Sequence, residues 1–292
     1  MTHPILSRRT LLGGAATAAA VAATGAGSSH AYAADSPSIA ALEQKHQRHL
    51  GVWAKNMWTG RVIEHRADER FPMLSTFKTL LVAAILRDLP ARTLQQRLTW
   101  DDAYVVVNSP VTSLTTRNGL TVAQLAEATM TRSDNTAANE LLHLIGGPAG
   151  VTRFARSLGD TVSRLDRWEP DLNSAIPGDP RDTTSPRAIA QTYTKLVLGD
   201  ALGGADRDQL LTWMLANQST VSRFGAGVPA RWRLADKTGG GDYASRNDVG
   251  VTWTPDGAPI VIAALTRSDD PAAVPLDKPL ADIAEAVCGE LG

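Results

Sequence analysis

One cysteine, Cys288, is all the chain carries, so no internal disulfide can form. An exported location would permit one, and an exporter that carries already folded proteins is consistent with doing without. A basic run or patch is also missing. Lys and Arg number 29 against 30 Asp and Glu, which argues against nucleic acid as a partner. Metal-ligand clusters are absent too. His46 and His49 are spaced for one helix face, but no third ligand type lies near them, and His65 and His143 are isolated. Neither a metal nor a cofactor is therefore expected. No internal repeat or low-complexity segment follows the N-terminal region. The apolar run near the N-terminus is too rich in Gly, Ala and Thr to make a good spanning helix.

That run has a different meaning. Ser7-Arg8-Arg9-Thr10-Leu11-Leu12 precedes it and Ala31-Tyr32-Ala33 ends it, which is a charged region, an apolar region and a small-residue cleavage site. The paired arginines are those of a twin-arginine export signal, so residues 1–33 are expected to be removed. Export to a secreted or periplasmic space follows, with no membrane anchor in the mature chain. The remaining 34–292, roughly 260 residues, suffice for one sizeable core. Loss of Arg8 and Arg9 leaves the mature chain with a formal charge of about −3.

Periodicity places the elements. A helix is predicted over Pro37–Leu50, then a hairpin of Gly51–Asn56 and Arg61–Glu64 about Thr59-Gly60. Pro72 leads into an apolar helix beginning at Ser75. Thr121 caps a helix through Ala128, another runs Asn135–Ile145 to Gly146-Gly147, and a third covers Pro148–Leu158. From Gly159 to Ser185 periodicity vanishes, in a loop far longer than the usual connection. Trp168, Leu172 and Ile176 are expected to pack it as a compact Ω-loop. Helices resume at Ser185–Leu198 and Ala205–Gln218. Strands follow at Arg231–Lys237, Asp248–Thr254 and Pro259–Leu265, the last two joined by Pro255-Asp256-Gly257, before a closing helix over Leu276–Leu291. Strands thus come from both chain ends, with helices inserted between.

The chemistry starts at Ser75. It and Lys78 are i and i+3, on one face of a helix that is apolar nearly all round. A lysine there is costly unless paired or used. The positive end of the helix also lets the Ser75 N–H point at a developing anion. These are the parts of an activated serine nucleophile, although a helix cap and a surface lysine would give the same four letters. Three further clusters decide between them: Ser133-Asp134-Asn135 at a helix junction, Lys237-Thr238-Gly239 at a strand end running into Gly240-Gly241, and Trp168-Glu169-Pro170-Asp171-Leu172-Asn173 in the long loop.

Ser-x-x-Lys, Ser-Asp-Asn and Lys-Thr-Gly in this order are the set of class A β-lactamases and penicillin-binding proteins. Across almost the whole mature chain the sequence resembles a class A serine β-lactamase, closest in flavour to the exported enzymes of actinomycetes. The segments 65–71, Ser109-Pro110-Val111-Thr112 and 175–183 share the likeness. The resemblance implies an α/β (α+β) fold, an antiparallel sheet from both chain ends with helices on both faces and an all-helical insertion. The sheet subdomain would comprise 34–70 and 219–292, and the helical one 71–218 with an Ω-loop at 167–182. It also implies a monomer that hydrolyses small β-lactams.

Carried over, Ser75 attacks the lactam carbonyl, and the backbone N–H groups of Ser75 and Gly240 form the oxyanion hole. Lys78 and Glu169 share removal of the serine proton. A lysine of ordinary pKa is no base at neutral pH, so Lys78 would have to be depressed by burial and by a second cation such as Lys237. Ser133 passes the proton to the leaving nitrogen, Lys237 and Thr238 hold the substrate carboxylate, and Asn135 the acylamino side chain. Glu169 and Asn173 hold the water that hydrolyses the acyl-enzyme, Glu169-Pro170 invites a cis bond, and Arg167 pairs with Asp182 to close the loop. Arg223 and Arg246 compete as the arginine that supports the carboxylate, with Arg223 favoured.

Some positions depart from the family pattern. Leu74 stands where a smaller residue often precedes the nucleophile, Asn108 where an aromatic often shapes the entrance, and Ala244 where glycine is usual. A disulfide joining the positions of Leu74 and Gly241, present in a carbapenem-hydrolysing subgroup, is lacking. A penicillinase-like spectrum is therefore expected. Two alternatives stay open. A D-Ala-D-Ala peptidase shares the three short motifs but lacks or alters the Glu169–Asn173 loop. A β-lactam-binding sensor acylates without turnover and is usually tethered to a membrane.

Overall fold

The structure, a computed structural model, describes residues 36–292. The export signal expected at 1–33 lies outside the described residues. Eighteen labelled elements set the frame: α1 Pro37–His46, β1 His49–Asn56, β2 Val62–His65, β3 Phe71–Pro72, α2 Phe77–Asp88, β4 Arg97–Leu98, β5 Leu120–Thr121, α3 Val122–Thr131 and α4 Asn135–Leu144, followed by α5 Pro148–Ser157, β6 Thr183–Thr184, α6 Pro186–Val197, α7 Gly204–Leu215, α8 Phe224–Gly227, β7 Arg233–Gly240, β8 Arg246–Trp253, β9 Pro259–Arg267 and α9 Lys278–Leu291. Among the described residues no helix is long and apolar enough to cross a membrane.

Five strands form one antiparallel sheet in the order β2-β1-β9-β8-β7, so both chain ends meet at its centre. Register is fixed by pairs such as Trp53 with Ala263 and Val249 with Ala263. Strand alternation sends side chains to two separate cores. Val52, Ala54, Ile260, Ile262 and Ala264 join Ile39 of α1 and Leu280, Ile283 and Val287 of α9 on one face. Trp53, Val261, Ala263 and Leu265 join α6 and the α2 helix bundle on the other. The helical insertion centres on α2, where Phe77 to Leu86 are all buried. The expected fold class is the one observed.

Several boundaries move for identifiable reasons. The first helix stops at His46, four residues before the expected Leu50, because Gln47 turns left-handed and His49 already pairs with Arg267 of β9. Thr121 caps α3 with a full capping box, Gln124 reciprocating, and α3 runs on to Thr131 because Thr129 and Met130 are buried. Strand β7 extends through Lys237 to Gly240, since β8 pairs with it down to Arg246. Ser75 itself sits in a 3₁₀ turn, Leu74–Thr76, one step before α2. In the long loop Leu172 is fully buried and Trp168 is half-buried against the His143 ring, but Ile176 is 48% exposed and does not help pack it. His46 bonds Asp282 and His49 bonds Glu69, so the two histidines face different acids.

Candidate active site

The four motifs meet at one cleft of about 790 Å³, lined by Ser75, Ser133, Asn135, Asn173, Thr238 and Gly240 among others. Each is delivered by a distinct local device. The 3₁₀ turn before α2 presents Ser75, with the preceding Leu74 held at φ 50°. Ser133 also lies left-handed, at φ 54°. Positive φ is uncommon outside glycine and collects at functional sites. Asp134 rather than Ser133 caps α4, accepting from the Ala137 N–H and also from the Val111 and Thr112 N–H groups and the Thr112 hydroxyl. The cap thus ties the 109–114 segment to α4 and leaves the Ser133 hydroxyl free to face the cleft.

Lys78 is the hub. Its ammonium, fully buried, donates to Ser133 O at 2.8 Å and Asn135 Oδ1 at 2.6 Å, and reaches Glu169 Oε1 at 3.0 Å. Ser133 Oγ stands 3.4 Å from Lys78 Nζ and 3.1 Å from Lys237 Nζ, between the two ammonium groups. Ser75 Oγ lies 3.5 Å from Glu169 Oε1. A continuous path for a proton therefore links Ser75, Glu169, Lys78 and Ser133. Burial lowers the Lys78 pKa, opposed by the nearby Glu169 carboxylate. The lowering expected for Lys78 is there through burial. Burial and the neighbouring Lys78 charge bring Lys237 down to about 7.

Glu169 is buried and held from several sides. Its N–H donates to Asn139 Oδ1 at 3.1 Å while Asn139 Nδ2 donates to its carbonyl at 2.9 Å. Asn173 Nδ2 donates to its carboxylate. The Glu169-Pro170 bond is cis. Arg167 and Asp182 pair at 2.6 Å, and the N–H groups of Asp166 and Arg167 also donate to Asp182. The far wall is the end of β7. It passes so close to the nucleophile turn that a Cβ on Gly239 would stand 2.8 Å from Leu74 Cβ and 3.1 Å from Ser75 N. Only glycine lets the two backbones approach this far.

A model of the "Beta-lactamase enzyme family" matches residues 36–291. The chain belongs to the β-lactamase family. A β-lactamase of Streptomyces fradiae is 53% identical over 265 residues, covering 87% of each chain. One from Streptomyces lavendulae is 52% identical over 286 residues, covering 94% of this chain and 93% of its own. The solved β-lactamase of Streptomyces albus G superposes with a TM-score of 0.86 at 50% identity, covering 87% of this chain and 98% of that one. A variant of an ancestral class A β-lactamase matches with a TM-score of 0.82 at 47% identity, covering 86% and 96%.

In this β-lactamase both candidate arginines border the cleft. Arg223 and Arg246 share Asp277, at 2.9 Å and 3.6 Å, and Arg223 also donates to the Gly239 and Asn247 carbonyls. A Cβ on Gly240 would meet Arg246 Nη1 at 3.1 Å and Arg223 Nη2 at 3.8 Å, so Arg246 makes the shorter approach although the sequence favours Arg223. Burial opposes ionisation of Asp277, but Ser222 and the two arginines outweigh it and hold the carboxyl below its ordinary value. Three contributors escaped the sequence reading. Asn139 is four residues past Asn135, on the same face of α4, and that spacing was the available signal. Asp277, just before α9, and Asn247, which donates to Pro72 O beside the Ser75 turn, carry no local signal because only the tertiary fold brings them near.

Proposed function

We propose that this β-lactamase opens the lactam amide of penicillins and cephalosporins through an acyl-enzyme on Ser75. Ser75 Oγ bonds to the lactam carbonyl carbon and its proton passes to Glu169 or Lys78. The C–N bond then breaks, with Ser133 delivering a proton to the nitrogen. The Ser75 and Gly240 N–H groups receive the oxyanion; loss of one such donor typically costs about 3 kcal/mol of transition-state stabilisation. Lys237 and Thr238 hold the substrate carboxylate, with Arg223 or Arg246 in support, and Asn135 holds the acylamino side chain. In the second half, water loses a proton to Glu169, its oxygen bonds to the acyl carbon, and the ester bond to Ser75 Oγ breaks as that oxygen regains a proton.

The observation that carries hydrolysis over mere acylation is the placement of Glu169. A carboxylate 3.5 Å from Ser75 Oγ, fixed through Asn139 and Asn173, is positioned to take a proton from water attacking the ester. The cleft then lies at the seam between a sheet subdomain, 34–70 with 219–292, and a helical one, 71–218. The same reading takes Arg8 and Arg9 as an export signal and the mature chain as a monomer outside the cytoplasm. Purified mature chain should turn over benzylpenicillin, while Ser75→Ala keeps the fold and forms no adduct by intact-protein mass spectrometry. Turnover by Ser75→Ala would refute the nucleophile. A stable adduct without turnover in the unmodified chain would favour the peptidase or sensor.

A further inference from the structure

Behind Lys237 lie two acids that the reaction described above does not use. Asp236 precedes Lys237 on β7, and Asp248 sits opposite Thr238 on β8. Because Asp236 faces Gly250, the two aspartates are diagonal neighbours on one side of the sheet. Gly250 leaves the room, since a Cβ there would come 2.7 Å from Asp236 Cβ. Both side chains are buried, Asp236 at 1% and Asp248 at 0% exposure. Two carboxylates in contact and out of water cannot both stay ionised.

The partners assign the proton. Asp236 Oδ1 accepts from Asn217 Nδ2 at 2.8 Å, and Asp248 Oδ2 accepts from the Phe224 N–H at 3.1 Å. The Thr220 side chain also donates to the Asp236 carboxyl, and the two carboxyls bond each other, with Asp236 Oδ2 and Asp248 Oδ1 the oxygens still without a hydrogen. One hydrogen between these oxygens satisfies both. Burial pushes both carboxyls up, and the Asp236 charge lifts Asp248 further, well above its ordinary value. Asp248 is then the neutral donor and Asp236 the acceptor that keeps a negative charge.

We propose that Asp236 and Asp248 share a single proton as a buried acid pair, and that its one remaining negative charge holds Lys237 as an ammonium for the substrate carboxylate. Both aspartates are positioning residues, and the proposal rests on the carboxylate-binding role given to Lys237. The other charged or titratable groups facing the pair or its lysine are Lys78 on α2, Tyr193 on α6 and Arg223 beside α8, with Asp277 beyond Arg223. Lys78 and Arg223 repel the Lys237 ammonium, and the acid pair is the attraction that opposes them.

The test has a direct arm and a functional arm. In the ligand-free full-length mature protein, carbon-13 NMR of carboxyl-labelled aspartate should show one buried carboxylic acid at neutral pH, absent in Asp248→Asn. Two ionised aspartates at those sites would overturn the shared proton. In the functional arm, KM for benzylpenicillin is followed against pH. Asp248→Asn keeps a neutral donor to Asp236 and an acceptor for the Phe224 N–H, so its profile should match the parent within about twofold. Asp236→Asn with Asp248→Asn removes the charge, so the alkaline rise of KM should move down by about one pH unit or more. An unshifted double variant, or an equal shift in Asp248→Asn alone, would overturn the coupling. If Lys237→Ala leaves KM unchanged, the carboxylate-binding role falls, whereas the NMR result still decides the shared proton. Should the double variant fail to fold, the NMR arm and the single variant decide.

Discussion

Lys78 and Lys237 are the same residue type, both fully buried and both beside Ser133, yet their surroundings divide the work. Glu169 stands 3.0 Å from Lys78 and favours its charged form, while burial and the like charge of Lys78 depress Lys237 to about 7. A base whose pKa is lowered loses its proton as pH rises through the lowered value. In the proposed role of Lys237, the ammonium that would receive the substrate carboxylate is therefore present below about pH 7 and lost above it. KM for a carboxylate-bearing β-lactam should rise by about tenfold per pH unit once pH exceeds that point. Steady-state kinetics between about pH 6 and pH 8 check this, and a KM flat across that window would contradict it.

At the scale of the element, the loop from Arg167 to Asp182 shows how a segment without regular structure becomes rigid. Asp182 is buried and takes two backbone N–H groups and the Arg167 guanidinium, so it closes the loop from inside. Asp182→Ala would leave those donors unpaired, costing about 3 kcal/mol. A lowered Tm, faster proteolysis within 164–182 and slower deacylation should appear together; an unchanged loop would show that the pair is incidental. The residues 159–185 were legible as a long loop because Pro, Gly and charge replace periodicity there. Its packing was legible only in part, since Leu172 is buried and Ile176 is not. Helices announced themselves where local chemistry is strong, as at the Thr121 cap and Gly146-Gly147. The end of α1 did not, because the pairing of His49 with Arg267 crosses most of the chain. The site followed the same rule. Ser75, Lys78, Ser133, Glu169 and Lys237 stand in short motifs, whereas Asp277 and Asp248 make contacts that only the tertiary fold creates.

For the whole molecule, the sheet that joins both chain ends is also tied by charge. Glu43 of α1 accepts from the Leu50 N–H of β1 and pairs with His65 at the end of β2 and Arg66 just past it. Burial alone would raise its pKa, but the Arg66 bonds, the Leu50 N–H and His65 outweigh it and bring Glu43 down to about 2. A carboxyl depressed on folding contributes stability that is full above its unfolded value and lost as pH falls through the folded one. Glu43→Gln should cost about 2 kcal/mol at neutral pH and flatten the fall in stability between about pH 4.5 and pH 2. Denaturant unfolding across that range measures it; an unchanged acid limb would place the loss elsewhere. The two ends thus hold the sheet whose strand β7 passes the Ser75 turn, and in the proposed mechanism hydrolysis depends on the Glu169 carboxylate poised across from it. Intact-protein mass spectrometry of Glu169→Ala mixed with benzylpenicillin tests that dependence most directly. A covalent adduct on Ser75 that persists while the unmodified enzyme returns to its free mass is the predicted result. Turnover by Glu169→Ala at the unmodified rate, with no adduct accumulating, would contradict the assignment of Glu169 as the group that activates water.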